Sequence, residues 1–432
     1  MSDLDVIVVG AGAAGVGAGM MLERLGLSFV VLEAQEHIGG RTYSDTIAGH
    51  LFDAGAHWFH MADRNPLRTL ADRLGHGYRK PRAWGPRPAF VDGRWIGPEE
   101  RAKLDEYVWG TFDDIAALGR KGGPDRPVSE VVDLSPPLGR LRRHWIELMN
   151  SVAPEDLSLT DASAYDDSEV NLAVGDGYGR LVARLAEGLP IHTGRAVTRI
   201  ETTPGGVCVT GEFGTIEAKV AIVTAPVAVL AAGGITFDPP LDGSMTGALE
   251  GIPMGQYEKA VIAFDRRCLD IPDGDDLPYC SILSPSDPAD LPINVQVHPF
   301  GRPIAISDMA GDTIREMLSK HGRDGFLAYV IDRIASAFGN DVRDRIVATT
   351  TTTWGANPYV RGAYASAKPG RAGDRATLVD GTISERVFLA GEACSANAMT
   401  TAHGAFLSGI AKARRAGTLL GARDVAPDAL WS

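Results

Sequence analysis

Cysteine is scarce: Cys208, Cys268, Cys280 and Cys394 are the four in 432 residues, far apart and without a CxxC pair. That spacing argues against a zinc site and against a disulfide framework, and makes a reducing compartment, the cytoplasm, the expected location. Positive charge is also in deficit, with 42 Lys and Arg against 55 Asp and Glu and a formal charge of −13. Contacts to a phosphate backbone need clustered cations, so nucleic acid is not an expected partner. The acidic surplus favours solubility and modestly favours the approach of cationic small molecules. No run reaches the roughly 18 apolar residues that span a bilayer. Met1-Ser2-Asp3 leads directly towards Val6-Ile7-Val8-Val9 with no basic segment ahead of an apolar stretch, so neither a membrane anchor nor a signal peptide is expected.

Glycine, by contrast, is abundant at 51 residues, and 44% of the chain is hydrophobic, enough for a large core. A chain of 432 residues is expected to form two domains. Residues 5–33 read as strand, turn, helix and strand. Val6 to Val9 is continuously apolar, as a strand buried on both faces should be. Gly10-Ala11-Gly12-Ala13-Ala14-Gly15 follows it as GxGxxG at the start of a helix. The first glycine permits the tight turn, the second lets a pyrophosphate approach the backbone, and the third lets helix and strand pack closely. The helix N-terminus offers free N–H groups to the phosphates. Glu33 ends the second strand, where a carboxylate can accept from both ribose hydroxyls. Gly39-Gly40-Arg41 comes soon after, a second glycine pair with a cation suited to the far side of a diphosphate. Near the C-terminus, Phe388-Leu389-Ala390-Gly391-Glu392 repeats the order of strand, glycine turn and acid, the acid suited to a ribityl hydroxyl or, through water, a diphosphate.

Between these blocks the pattern changes. Residues 76–172 bring prolines, tryptophans and helical stretches at 101–118 and 138–149. Residues 176–230 return to α/β character, 255–374 read as strand-rich, and 270–292 read as an irregular excursion. The expected fold class is α/β: a Rossmann-like FAD-binding domain of the two-dinucleotide-binding type, interleaved with a substrate domain of mixed sheet and helices. The expected division gives 1–75, 173–250 and 375–425 to the first, and 76–172 and 251–374 to the second.

Taken in order, five blocks resemble the flavin-containing amine oxidases, the family of monoamine oxidases, polyamine oxidases and lysine-specific histone demethylases. They are the Gly10 motif with Glu33 and Gly39-Gly40-Arg41; Asp53-Ala54-Gly55-Ala56-His57-Trp58-Phe59-His60; Val223 to Leu230 leading to Ile235-Thr236-Phe237-Asp238-Pro239; Trp354 to Tyr364; and Gly391-Glu392 through Thr400-Thr401-Ala402-His403-Gly404. The resemblance implies FAD. It assigns cofactor contacts to Gly10, Gly12, Ala13, Ala14, Gly15, Glu33, Ala34, Gly39, Gly40, Arg41, Gly55, Ala56, His57, Trp58, Val197, Ala225, Pro226, Trp354, Gly391, Glu392, Thr401 and Ala402.

In that family a lysine on a substrate-domain strand bonds through water to the flavin N5, and Lys259, within Met254 to Val261, falls at the matching position. Strand alternation puts Lys259 and Val261 on one face and Glu258 and Ala260 on the other. A lysine facing inward would be desolvated, which lowers its pKa. The resemblance makes Trp354 and Tyr364 walls of the substrate space, and brings Thr401 and His60 close to the substrate. A structural histidine is an equal reading of His60. Thr401 stands where many relatives have a second aromatic wall, although polyamine oxidases and the demethylases share the threonine. Ala363 stands where mammalian monoamine oxidases have the flavin-linking cysteine, so non-covalent FAD is expected. The acidic stretch 155–176 reads best as a solvated loop.

The expected chemistry is oxidation of a primary or polyamine-like secondary amine, with molecular oxygen or another acceptor as the second partner. Self-association as a homodimer is left open. An L-amino-acid oxidase would need an arginine for the carboxylate, with Arg82, Arg87 and Arg94 as candidates. A desaturase of the same fold, and a flavin-binding scaffold without turnover, are the remaining alternatives.

Overall fold

The computed structural model describes residues 4–79, 87–271 and 279–432. Arg82, and the 272–278 portion of the excursion, lie outside the described residues. Val6–Val9 stands at the centre of a six-stranded sheet with every residue buried, flanked in parallel by Phe29–Leu32 and Val220–Val223. Val387–Leu389 and Ile191–His192 extend the sheet in parallel on either side, and Thr382–Ser384 closes one edge antiparallel. Strands covered on both faces need no alternation, hence the unbroken apolar runs. Helices Ala13–Arg24 and Ala402–Leu419 pack closely on one another. A Cβ on Gly409 would stand 1.9 Å from the Ala14 carbonyl oxygen, so only glycine permits this approach.

A seven-stranded sheet forms a second layer, in the order Ile346–Thr351, Tyr257–Phe264, Ile304–Ala310, Ile293–Val297, Tyr279–Leu283, Ala89–Val91 and Arg94–Trp95. Its neighbours are antiparallel except Tyr279–Leu283 with Ala89–Val91. One face, with Ala260, Ile262, Val295 and Met309, packs with Ile314, Phe326 and Val330 of the helix Gly311–Phe338. Because directly paired residues share a face, the other side carries Lys259 opposite Asp308, and Asp308 opposite Asn294.

Two expectations from the sequence are corrected here. The stretch 255–374 is not only strands: it contains the 28-residue Gly311–Phe338 helix, whose backbone breaks at Gly322 (φ 67°). The excursion at 270–292 contains the strand Tyr279–Leu283, buried at every residue.

Where the Gly139–Asn150 helix meets the start of the Gly311–Phe338 helix, Glu147 is 1% exposed, and Arg143 stands 3.8 Å away. Burial pushes the Glu147 carboxyl from 4.5 up to about 7. The folded chain therefore holds this proton more tightly than the unfolded one. The stability it contributes is full below 4.5 and is lost as pH rises through about 7. Glu147→Gln is expected to stabilise the protein near pH 9 by about 3 kcal/mol and to change little near pH 4. Urea-unfolding midpoints at the two pH values check this, and equal effects at both would contradict it.

Candidate functional site

Four parallel strands end along one crest of the six-stranded sheet, and the sequence after each supplies a conspicuous block: Gly10 after Val9, Glu33 after Leu32, Thr224-Ala225-Pro226 after Val223, and Ala390-Gly391-Glu392 after Leu389. This is the edge at which open α/β sheets bind ligands. Gly10 has φ +105°, and a Cβ on Gly15 would lie 1.9 Å from the Gly10 carbonyl oxygen, so turn and helix close on each other only as glycines. Gly12 N-caps the Ala13–Arg24 helix without any side-chain bond to its first N–H groups, and it bridges to Gly39. An uncapped helix start walled by backbone fits a diphosphate. Ala13 and Ala14 open that helix, and Gly40 lies against Gly12. Glu33 is buried and accepts from the backbone N–H of Ala11 at 2.7 Å and of Gln35 at 2.9 Å. Its carboxylate therefore braces the turn.

Arg41 is anchored. Its Nη1 donates to Glu392 Oε1 at 2.8 Å and to the Ala363 carbonyl at 2.6 Å. Glu392 also accepts from the Thr400 N–H at 3.2 Å. These two charges, assigned separately to the cofactor by the resemblance, are thus partners. Ala34 follows Glu33, Pro226 caps the helix Val227–Ala231, and Ala402 begins the last long helix. Val197 is buried in a separate four-stranded sheet, paired with Gly211.

Lys259 is 2% exposed and points away from the helix-packed face of its sheet. Its Nζ donates to the carbonyls of Asp53 at 2.9 Å and Gly55 at 2.8 Å, and lies 3.1 Å from His57 Nδ1. It thereby ties the Asp53–His57 segment to the seven-stranded sheet. Burial lowers the lysine's pKa, against the pull of Asp308 and Asp53. Burial, and then the lysine's charge, hold His57 well below the usual imidazole range. A neutral His57 that accepts at Nδ1 carries its hydrogen on Nε2, 2.9 Å from the Gln296 amide and 3.4 Å from the Tyr279 hydroxyl. Gln296 must then present its oxygen, which fixes the amide orientation. Ala56 donates its N–H to the Arg41 carbonyl, and Trp58 stacks obliquely on Tyr279 at 5.9 Å.

Trp354 is buried and donates from Nε1 to the Ala54 carbonyl at 3.0 Å, against Gly55. Tyr364 donates to the Leu148 carbonyl at 2.8 Å, and its ring lies 5.9 Å from that of Tyr257. The hydroxyl of Thr401 is engaged in capping: it donates to the Ala398 carbonyl at 2.7 Å and accepts from the Gly404 N–H at 3.0 Å. His60 pairs through Nδ1 with Asn171 at 2.7 Å, and burial lowers its pKa.

Several site-building residues escape the sequence reading. Glu258, fully buried behind Lys259, accepts from Thr352 Oγ1 at 2.5 Å, the Trp354 N–H at 3.1 Å and the Gly355 N–H at 3.0 Å, and so fixes the loop that carries Trp354. The acidic stretch is not simply solvated. Asp161 is buried in a two-pronged pair with Arg375, at 2.7 and 2.5 Å, with its partner remote in sequence. Of the arginines considered for a carboxylate, Arg94 is exposed and paired with Glu100 at 2.6 Å, and Arg87 lies between the rings of Trp109 and Trp145, 4.7 Å from each. Among the described residues no group of His, Cys, Asp and Glu is arranged to hold a metal ion, and no helix is long and apolar enough to cross a membrane.

A family model described as flavin containing amine oxidoreductase matches residues 113–416, and one described as an NAD(P)-binding Rossmann-like domain matches residues 8–74. The chain is 28% identical to "Lysine-specific histone demethylase 1 homolog 2" of Oryza sativa subsp. japonica, over 95% of this chain and 56% of that protein. It is 27% identical to "Polyamine oxidase 4" of the same organism, over 95% of this chain and 88% of that protein. "Lysine-specific histone demethylase 2" of Homo sapiens is 25% identical, over 95% of this chain and 53% of that protein. The chain thus spans about half the length of these demethylase relatives and most of the polyamine oxidase.

Proposed function

The chain belongs to the flavin-containing amine oxidoreductase family, and on that premise we propose that it oxidises a primary or polyamine-like secondary amine with non-covalently bound FAD. In this proposal 1–75, 173–250 and 375–425 form the flavin-binding body, and 76–172 and 251–374 form the substrate body. The observation that carries the proposal is the buried Lys259 ammonium, hydrogen-bonded to the Asp53–His57 segment.

FAD, when bound, supplies the acceptor for the hydride equivalent that leaves the amine's α-carbon. The Gly10–Gly15 turn and the uncapped helix start would hold the diphosphate, Glu33 would accept from the ribose while bracing the turn, and the Arg41–Glu392 pair would complete the crest. Trp354 and Tyr364 orient the amine and exclude water. The hydrogens of Lys259 already have acceptors in Asp53, Gly55 and His57, so a water receives one only in exchange for His57. His57, neutral and half-buried, is suited to that exchange. With molecular oxygen as the final acceptor, the products are hydrogen peroxide and an imine, which water converts to a carbonyl compound and an amine or ammonia.

Anaerobic mixing with a panel of monoamines, diamines, polyamines, amino acids and a methylated-lysine peptide tests the proposal through loss of flavin absorbance. Bleaching by free amines is the expected result. Bleaching by amino acids alone, or by nothing in the panel, would overturn it.

A further inference from the structure

On the face of the seven-stranded sheet that carries Lys259, the directly opposite residue is Asp308, 4% exposed. Such cross-strand neighbours have Cβ atoms about 5 Å apart, yet the lysine's ammonium donates elsewhere, to Asp53, Gly55 and His57. Among the described residues, Asp308 Oδ1 has no hydrogen-bond partner. Its other strand neighbour, Asn294, is 4% exposed and likewise has an unpartnered Oδ1. The Asp308 carboxyl and the Asn294 amide thus stand side by side, each with one buried oxygen unpartnered, and leaving either unsatisfied is costly. Three tyrosines surround the carboxylate closely enough to feel its charge: Tyr257, whose hydroxyl bonds to it, Tyr279 and Tyr364. A buried carboxylate beside an amide makes a site for a compact cation bearing several N–H donors.

We propose that Asp308, with Asn294 beside it, holds the non-reacting ammonium of a substrate that carries two or more amino groups. This rests on the amine-oxidase reading of the site and narrows it to diamines and polyamines. The held nitrogen is not the one oxidised. A nitrogen can assist departure of hydride from its α-carbon only through its lone pair, and a buried carboxylate keeps an amine protonated. The anchor therefore binds one end of the substrate while a second, neutral nitrogen reacts. Burial raises the pKa of Asp308, against the opposing influence of Lys259, and an arriving cation lowers it again.

The test compares butane-1,4-diamine with pentylamine, a monoamine of equal length, in the FAD-loaded protein without oxygen. Equilibrium binding is followed by calorimetry and flavin reduction by absorbance. Wild type is expected to favour the diamine in binding and in kcat/KM by about 30-fold or more, the order for a buried charge pair. Asp308→Asn is expected to abolish that preference, so that the two amines bind the variant within about threefold of each other, and Asn294→Ala to lose a smaller part. Equal wild-type affinity for the two amines would overturn the anchor, and this arm needs no variant to fold. A diamine preference that survives in Asp308→Asn would overturn it as well. Diamine-selective binding that depends on Asp308 but brings no bleaching by any amine would retain the anchor and overturn the amine-oxidase reading instead.

Discussion

Lys259→Met is expected to slow flavin reduction, or its reoxidation, by about 100-fold or more, the lower end of what a positioned proton-handling group contributes. The substitution preserves length and apolar character, so the packing of a side chain 2% exposed changes little. It removes the donor to the carbonyls of Asp53 and Gly55 and the contact with His57. Each carbonyl left without a donor costs about 1–3 kcal/mol, so some loss of stability accompanies the kinetic effect. Flavin content and urea midpoint, measured on the same preparation, separate the two. A variant that retains flavin and reacts slowly supports a direct role for the ammonium. One that reacts at wild-type rates removes the lysine from the chemistry.

Gly15→Ala is the second large effect, and it acts at the other end of the site. The added methyl would stand 1.9 Å from the Gly10 carbonyl oxygen, a backbone atom that cannot turn aside as a side chain can. Helix and turn must separate, and the N–H groups that face a diphosphate move with them. The expected result is a loss of FAD affinity of at least tenfold, about 1.4 kcal/mol, read by titration of stripped protein. Gly110→Ala controls for the exchange of glycine for alanine within a helix, since that position has open space around it. Equal affinity in the Gly15 variant and wild type would show that the turn does not contact the cofactor.

The parts of the fold that were legible in sequence are those whose determinants are local. Val6–Val9 is continuously apolar because its strand is covered on both sides, and GxGxxG demands glycine within six residues. Lys259 is legible because Met254 to Val261 resembles the family's block; alternation only separates it from Glu258, since both faces of the strand are buried. The Gly311–Phe338 helix was hidden because Gly322 interrupts its backbone and charged residues such as Arg315, Glu316, Lys320 and Arg323 crowd its turns. Asp308 was out of reach for a different reason. Its proximity to Lys259 and Asn294 depends on the register between three strands, which no single stretch encodes. The same holds for Arg375 and Asp161, 214 residues apart, and for Arg41 and Glu392, 351 apart. In sequence Thr401 reads as a gap in an aromatic wall, but its hydroxyl is committed to starting a helix, a role that Ser, Thr, Asp or Asn can fill.

In the proposed function an isoalloxazine lies on the side of the seven-stranded sheet where Lys259 meets the Asp53–His57 segment. Titrating FAD into wild-type protein stripped of flavin tests it most directly. The predicted result is saturation at one FAD per chain, with all of the flavin returned to solution on acid denaturation. A colourless protein that takes up no FAD would contradict the claim.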